Sequence, residues 1–389
     1  MVKLIVPILL IGLCLVSDLY IYHRYISNTS MWRWLWWLPM LLLVCFFAKF
    51  LFFNQGFIAE YNTTNLFLLL MMLTCVPKIL FSILSLIPKV GPYLGIAAAI
   101  GIVYIVIYGI TAGFSQFTVR EVTFESKDVP RSFDGYRIAQ FSDAHVGSFR
   151  GPYAHLLKES IDKINSLKPD LVCFVGDIEN FSPEELIPHR EAFSSLRARD
   201  GVMTIMGNHD YSSYISVSEA ERRALVQQTR DVQRSFGWDM LVNEHRTIHR
   251  ADDSICIIGE ENWGLSPFPQ YGNIRQAVKG APIDGTFCVM LSHDPNAWLR
   301  HILPVFRPAI TLSGHTHGTQ FSLFGWSPSS MVYDQWGHEY YMQPAGTVSR
   351  QPSGDRPTLL SVSTGFGGNF PFRFNMPREV VLITLKHKD

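Results

Sequence analysis

The sequence predicts two parts of different character: an N-terminal four-helix transmembrane region over residues 1–115 and an α/β domain over residues 116–389. Three observations predict it. Four apolar runs fill the first part, hydrophobic strands alternate with polar helix-like segments in the second, and metal-ligand residue types recur at the ends of those strands. The chain has 389 residues, 48% hydrophobic and 17% charged, with a mean hydropathy of +0.13. That balance is high for a soluble protein, and the excess lies before about residue 115. The remainder is long enough for a core of its own.

Residues 4–22 and 32–53 are apolar runs long enough to cross a hydrocarbon layer of ~30 Å at ~1.5 Å per helical residue. The second opens MWRWLWWLP, a tryptophan cluster of the kind that sits at a membrane interface. Residues 66–87, interrupted by Pro77 and Lys78, form a third expected span, and 91–113, rich in Gly, Ala and Ile, a fourth. A cleaved signal peptide over 4–22 fits poorly, because no small-residue cleavage site follows and more spans come after it. Buried helices of a soluble domain fit poorly too, since few charges interrupt the runs. Within the runs Lys49 and Lys78 stand out, and both can snorkel toward a boundary. Arg24, Arg33 and Lys89 would face one side, and Lys3, Lys49 and Arg120 the other, so basic residues do not choose the membrane face of the second domain. An even number of spans puts that domain on the same side as the N-terminus. The expected setting is a multi-pass protein of the cell membrane with the bilayer as a partner.

From about residue 116 the pattern changes. FTVREVTF (117–124) alternates as a strand, YRIAQFSD (136–143) and LVCFVGD (171–177) are strands ending in acids, and GVMTIMGNHD (201–210) is a strand with a polar end. Amphipathic helices are expected at 153–166, 184–198 and 217–236, a hairpin at 247–262, and strands near 286–292 and 308–313 that run into histidines. Ligand-type residues at strand C-termini are where open α/β sheets build their sites.

Lys+Arg and Asp+Glu balance at 33 each, and no long basic run follows residue 116, so no nucleic-acid partner is expected. Cys14, Cys45 and Cys75 lie in apolar runs, and Cys173, Cys256 and Cys288 stand singly in strands. They read as buried thiols, with neither a disulfide framework nor a metal-type spacing.

Five segments carry the chemistry: Asp143-Ala144-His145, Gly176-Asp177, Gly207-Asn208-His209-Asp210, Ser292-His293-Asp294 and Gly314-His315-Thr316-His317. Singly, each has an ordinary explanation as a turn, cap or surface histidine. Five in one order, each after an apolar strand, point to a metal centre.

In that order the segments resemble the D-x-H, GD, GNH-D/E, H and GH-x-H motifs of the calcineurin-like metallophosphoesterase superfamily, over residues 117–389. SHDPN (292–296) and RFNMPREVVLITL (373–385) resemble more narrowly its membrane-anchored YkuE-like branch, which includes transmembrane members. Thr319 departs from that branch, where a second glycine often follows Gly318. The resemblance implies a β-sandwich flanked by helices with two divalent metal ions at one sheet edge. Asp143, His145 and His317 would hold the first ion, Asn208, His293 and His315 the second, and Asp177 would bridge them. A nitrogen and oxygen donor set without thiolates suits Mn²⁺, Fe or Zn²⁺, with Mn²⁺ named first. Such a pair keeps a bridging hydroxide available for in-line attack on phosphorus. His209 resembles the family histidine that faces the phosphate, to stabilise charge or protonate the leaving oxygen. Asp210 would orient that imidazole or, equally, serve as a capping carboxylate.

The stretch GFGGNFPFRF (365–374) is either a loop gripping substrate beside the site or a connection packed on the core, with Arg373 the candidate for a phosphate or headgroup contact. His155, His189, His245, His249, His301 and His338 match no motif and are assigned surface or structural roles. The implied activity is hydrolysis of phosphate esters or anhydrides on a phosphorylated small-molecule or lipid-linked substrate. Resemblance to branches acting on UDP-2,3-diacylglucosamine makes a pyrophosphatase one candidate. The competing readings are a non-catalytic metal-binding scaffold, against which the complete ligand set and His209 stand, and a regulatory domain on a membrane transporter or sensor.

Overall fold

The computed structural model describes residues 2–29, 31–52, 57–343, 346–352 and 356–389, and the chain divides into two units, Met1–Ala112 and Gly113–Asp389.

The first unit is helical: α1 (Val2–Ile21), α2 (Leu38–Phe52), α3 (Phe57–Leu84) and α4 (Gly91–Tyr108). Three stretches among the described residues are long and apolar enough to cross a membrane: Ile8–Ile26, Tyr61–Leu84 and Gly91–Gly113, with hydropathies of 1.3, 2.3 and 2.2. The second of the four expected spans is not among them. Its tryptophan cluster winds as a 3₁₀ helix, Met31–Trp37, and α2 has only 15 residues, about 22 Å at 1.5 Å per residue. Residue 53, the last of that expected span, lies outside the described residues. Pro77 lies inside α3 without ending it. A correction concerns buried charge. Asp18, in the first apolar stretch, is fully buried 2.7 Å from Lys78 Nζ, which also sits 4.6 Å from the centre of the Trp36 ring. Lys78 is therefore paired rather than snorkelling.

The second unit holds two mixed sheets. Its strands are β1 (Phe117–Ser126), β2 (Arg137–Phe141), β3 (Leu171–Val175), β4 (Val202–Ile205), β5 (Asp239–Met240), β6 (Glu244–Arg250) and β7 (Asp253–Gly259). They continue with β8 (Phe287–Leu291), β9 (Ile310–Ser313), β10 (His338–Met342), β11 (Val348–Ser349), β12 (Thr358–Val362) and β13 (Arg378–His387). One sheet runs β1-β13-β2-β3-β4-β5 and the other β11-β10-β12-β9-β8-β7-β6. Ile138, Cys173, Val175 and Ile205 of the first meet Ile257, Val289, Leu291 and Leu312 of the second in a core between the sheets.

The outer face of the first sheet, with Phe141, Val172 and Phe174, is covered by Leu157, Ile161 and Ile164 of α5 (Ala154–Ser166). The outer face of the second, with Ile258 and Met290, is covered partly by Ile274 and Ala277 of a short helix, Ile274–Ala277. The central strands β3, β8 and β9 are buried along their whole length, which explains why they read as unbroken apolar runs rather than alternating ones. The helix expected at 184–198 is instead a 3₁₀ segment, Pro183–His189, followed by the short α6 (Arg190–Ser194), while α7 (Glu219–Ser235) and α8 (Ile274–Ala277) complete the unit.

β2, β3 and β4 run parallel to one another, as do β7, β8 and β9. Five of these six strands deliver a chemical segment just past their last residue, so both sheets feed one edge.

Candidate metal centre

β2 is followed by Asp143 and His145, β3 by Asp177, β4 by Asn208, His209 and Asp210, β8 by His293, and β9 by His315 and His317. The loops are laced together by main-chain bonds: Asp143 N–H donates to Gly176 O at 2.9 Å, His145 N–H to Asp177 O at 3.2 Å and Gly314 N–H to His293 O at 2.9 Å. Gly176 has φ of +94°, and a Cβ there would lie 2.5 Å from Gly207 N and 2.9 Å from His293 Nδ1. Only glycine lets the β3 and β4 loops close this tightly.

Asp143, His145, Asp177, His315 and His317 all have left-handed backbones, with φ of 51°, 39°, 59°, 70° and 52°. None is glycine, and this conformation is costly for L-residues. Each turns its side chain back over the sheet edge. Thr319 shares the conformation at φ 47°, a β-branched residue in a position suited to glycine, and its hydroxyl lies 2.8 Å from Gly318 O and 3.0 Å from Ser327 Oγ.

The side chains converge as three groups whose donor atoms lie within 4.8 Å of one another: Asp143, His145 and His317; His145, Asp177 and His209; and Asp177, His293 and His315. Asp177 Oδ2 stands between the outer groups, 3.6 Å from His145 Nε2 and 3.1 Å from His293 Nε2. His317 Nε2 is 3.3 Å from Asp143 Oδ1.

Chain carbonyls orient two of the rings. His145 Nδ1 is 3.1 Å from Glu179 O and His293 Nδ1 is 2.7 Å from Val175 O, so their Nε2 atoms face the centre. His145 Nε2 and Asn208 Oδ1 are buried without a hydrogen-bond partner among the described residues, and His293 Nε2 faces only the Asp177 carboxylate. Buried polar atoms of this kind are costly unless something fills the space between them. An imidazole nitrogen and an amide oxygen with free lone pairs, beside two carboxylates, are donors that fit divalent cations.

Electrostatics agree with that crowding. Burial pulls His145 down to about 3, with His209 adding to the effect, and burial likewise lowers His315 and His317. Burial works against His293, but the Asp177 and Asp143 carboxylates outweigh it and raise the ring to about 10. Asp143 is raised to about 7 by burial.

His209 is 9% exposed, its Nδ1 lies 2.7 Å from Asn180 O, and Tyr214 stacks on its ring at 4.2 Å between centres. Asp210 is the capping carboxylate of the two roles open to it. It accepts the N–H groups of Asp177, Ile178 and Gly207 at 2.9 Å and of Glu179 at 3.3 Å, and the acceptor on the His209 ring is the Asn180 carbonyl. Arg373 is fully buried, and its Nη atoms donate to the carbonyls of Thr364, Gly365, Gly367, Met376 and Pro377. A headgroup contact is not open to it, and it pins the 364–377 loop, which packs on the core with Gly365 against Asp143 and Gly367 against Ala144.

Several participants carry no mark in the sequence. Asn180 acts through its main-chain oxygen. Tyr214 accepts the Asn208 amide at 2.7 Å, and Tyr333 Oη lies 2.9 Å from His315 Nε2. Asp294 Oδ2 is 3.6 Å from the same nitrogen, and its position inside the Ser292-His293-Asp294 segment was the one available signal.

A sequence model described as calcineurin-like phosphoesterase matches residues 136–319. The uncharacterized metallophosphoesterase YkuE of Bacillus subtilis (strain 168) is 31% identical over 271 residues, covering 68% of this chain and 84% of that protein. A transmembrane protein with metallophosphoesterase domain from Danio rerio is 26% identical over 265 residues, covering 63% of this chain and 58% of that one. The UDP-2,3-diacylglucosamine pyrophosphatase LpxG of Chlamydia trachomatis serovar D is 26% identical over 309 residues, covering 67% and 88%.

Proposed function

From the premise that the chain belongs to the calcineurin-like metallophosphoesterase family, a family of phosphoester hydrolases using two divalent metals, we propose how its residues divide the work. Asp143, His145 and His317 would hold one cation and Asn208, His293 and His315 the other, with Asp177 placed to serve both. The orphaned, inward-facing atoms of His145 and Asn208 carry this reading. When bound, two such cations supply a water of lowered pKa and neutralise phosphate oxygens as charge shifts. Mn²⁺ is the pair we assign first, with Fe or Zn²⁺ compatible with the same donors.

His209 acts from the phosphate side. Its Nδ1 bears a proton donated to Asn180 O, because a carbonyl only accepts, and Nε2 remains to bond a phosphate oxygen or protonate the leaving group. Tyr214 stacked on the ring fixes its plane. With Nε2 of His315 engaged by Tyr333, Nδ1 is the nitrogen that would be left to hold a cation.

Apolar helices and transmembrane relatives associate the chain with a membrane. On that basis we assign a multi-pass anchor and a lipid-linked phosphorylated substrate, with a UDP-2,3-diacylglucosamine-type pyrophosphate as the leading candidate because LpxG is among the relatives.

The test uses the full chain, purified in nanodiscs and stripped of metal. Mn²⁺ should restore hydrolysis of bis-p-nitrophenyl phosphate, Asp177→Asn should abolish it, and His209→Ala should lower it by ~10²–10⁴. UDP-2,3-diacylglucosamine should be cleaved faster than the generic diester. A folded, Mn²⁺-loaded chain inert toward both would refute the assignment, and cleavage of the diester alone would remove the lipid-linked substrate.

A further inference from the structure

Five of the seven large hydrophobic side chains described as exposed in Gly113–Asp389 lie within ten residues: Leu323, Phe324, Trp326, Met331 and Val332. The stretch 321–333, FSLFGWSPSSMVY, contains no charged residue. Leu323 and Trp326 exchange main-chain bonds of 2.8 and 3.0 Å, leaving Phe324 and Gly325 as a two-residue tip with φ of 51° and 80°. Positive φ at both tip residues is the geometry of a type I′ turn, whose first position favours Asn, Asp or Gly. Here it carries phenylalanine, 98% exposed. Neither backbone preference nor packing inside the domain accounts for an aromatic ring there.

The loop's hydroxyls turn inward. Ser327 Oγ donates to Gly318 O at 2.7 Å and Ser329 Oγ to Thr316 O at 3.3 Å, which leaves apolar and aromatic groups outward. Paired aromatic and aliphatic side chains with no charge to desolvate suit a membrane interface. The bilayer is also the surface this chain always has at hand: three residues, 114–116, separate the last apolar stretch from β1. The same loop is fastened to the segment bearing His315 and His317 through Ser327, Ser329 and Tyr333.

We propose that Phe324, Trp326, Met331 and Val332 enter the bilayer interface and hold the His315–His317 segment at the lipid surface. The proposal stands whether or not the hydrolysed substrate is a lipid, since it rests on the exposed loop alone. It specifies a second membrane contact, made by the second unit itself, beyond the apolar helices of the first.

The test reads depth and not activity. Full-length protein carrying Cys45→Ser, which removes the exposed native thiol, receives Phe324→Cys, or Ile187→Cys as the control at the other exposed aliphatic site. Each is labelled with an environment-sensitive nitrobenzoxadiazole probe and reconstituted in phosphatidylcholine–phosphatidylglycerol vesicles, with and without doxyl-labelled lipid. The 324 probe should be blue-shifted and quenched about twofold or more by doxyl lipid, and the 187 probe should keep a water-like spectrum. Met331→Cys repeats the measurement at a second position should Phe324→Cys fold poorly. Water-like emission at both 324 and 331 overturns the proposal. So does a blue shift that doxyl lipid leaves unquenched and that fades as the protein is diluted into more lipid, which would give the patch to a second copy of the chain.

Discussion

Replacing Arg373 by methionine separates two ways a basic residue can serve this site. The guanidinium is fully buried and makes five bonds to carbonyls of the 364–377 loop. Bonds from a charged donor contribute roughly 1.5–3 kcal/mol each. Against them stands the cost of burial, which pulls the group down from the usual guanidinium range to about 9 and so takes back roughly 5 kcal/mol at about 1.4 kcal/mol per pKa unit. A net contribution of roughly 2.5–10 kcal/mol remains, and its lower end, on the order of 3 kcal/mol, agrees with the ~3–5 kcal/mol cost of breaking other buried charged arrangements. At ~2–4 °C per kcal/mol for a domain of this size, Arg373→Met should lower the melting temperature of the Mn²⁺-loaded chain by ~6–12 °C. Arg373→Lys, with a compact three-donor head, should recover part of that.

The discriminating readout is KM for bis-p-nitrophenyl phosphate. A guanidinium sealed under the loop does not touch substrate, so KM of the folded variant should stay within about twofold of native. A KM raised tenfold with an unchanged melting temperature would make Arg373 a phosphate contact after all and refute the pinning role.

Tyr333→Phe removes the hydroxyl beside His315 Nε2 and should weaken Mn²⁺ binding by ~10-fold in a calorimetric titration while leaving the stripped chain's melting temperature in place; unchanged affinity would sink the orienting role. Burial raises the Glu185 carboxyl from 4.5 to about 7, although it accepts N–H groups from Asn180, Phe181 and Ser182. Because the folded value is the higher one, its contribution of roughly 3 kcal/mol is present below pH 4.5 and lost as pH rises through 7, and Glu185→Gln should remove that slope from the pH dependence of unfolding. An identical slope in wild type and variant would contradict the assignment. In the first unit, Lys78→Met leaves Asp18 buried without its partner and should cost ~3–5 kcal/mol in detergent unfolding, whereas Asp18→Leu with Lys78→Met should regain most of it; equal losses would mean the 2.7 Å pair is incidental.

What could be read from the sequence follows from how each feature is encoded. The nine motif residues from Asp143 to His317 were legible because side-chain type and strand-end position together specify donor chemistry, and the structure brings them to one edge. The second apolar run was harder to read because a hydropathy count does not show where the α-helix begins. Trp32 to Trp37 wind as a 3₁₀ segment and the α-helix starts at Leu38, with Pro39 in its first turn, where a missing N–H costs no helical bond. Asp18 escaped notice because a lone acid in an apolar run gains meaning only from its partner Lys78, sixty residues on. Asp210 was seen, yet whether its carboxylate faces a ring or main-chain N–H groups depends on the turn around Gly207. The oxygens that orient His145, His209 and His293 belong to main-chain carbonyls of Glu179, Asn180 and Val175, and a carbonyl has no letter in a sequence.

The left-handed ligand loops add a last step. Five non-glycine residues at φ between 39° and 70° carry a conformational penalty of roughly 1–2 kcal/mol each. Two features of the fold hold them there. Asp210 gathers four N–H groups from the β3 and β4 loops, and Asp143 accepts the His315 N–H across the sheet edge at 3.1 Å. The same carboxylates that shape the loops therefore stand beside the donor atoms, and at Asp143 preorganisation and the proposed ligation are not separable. A substitution there removes a donor and loosens the β9 loop at once. Asp210 lies outside the proposed ligand set, so its loss would act through loop geometry alone, and that contrast separates strain held by the chain from chemistry done by the site.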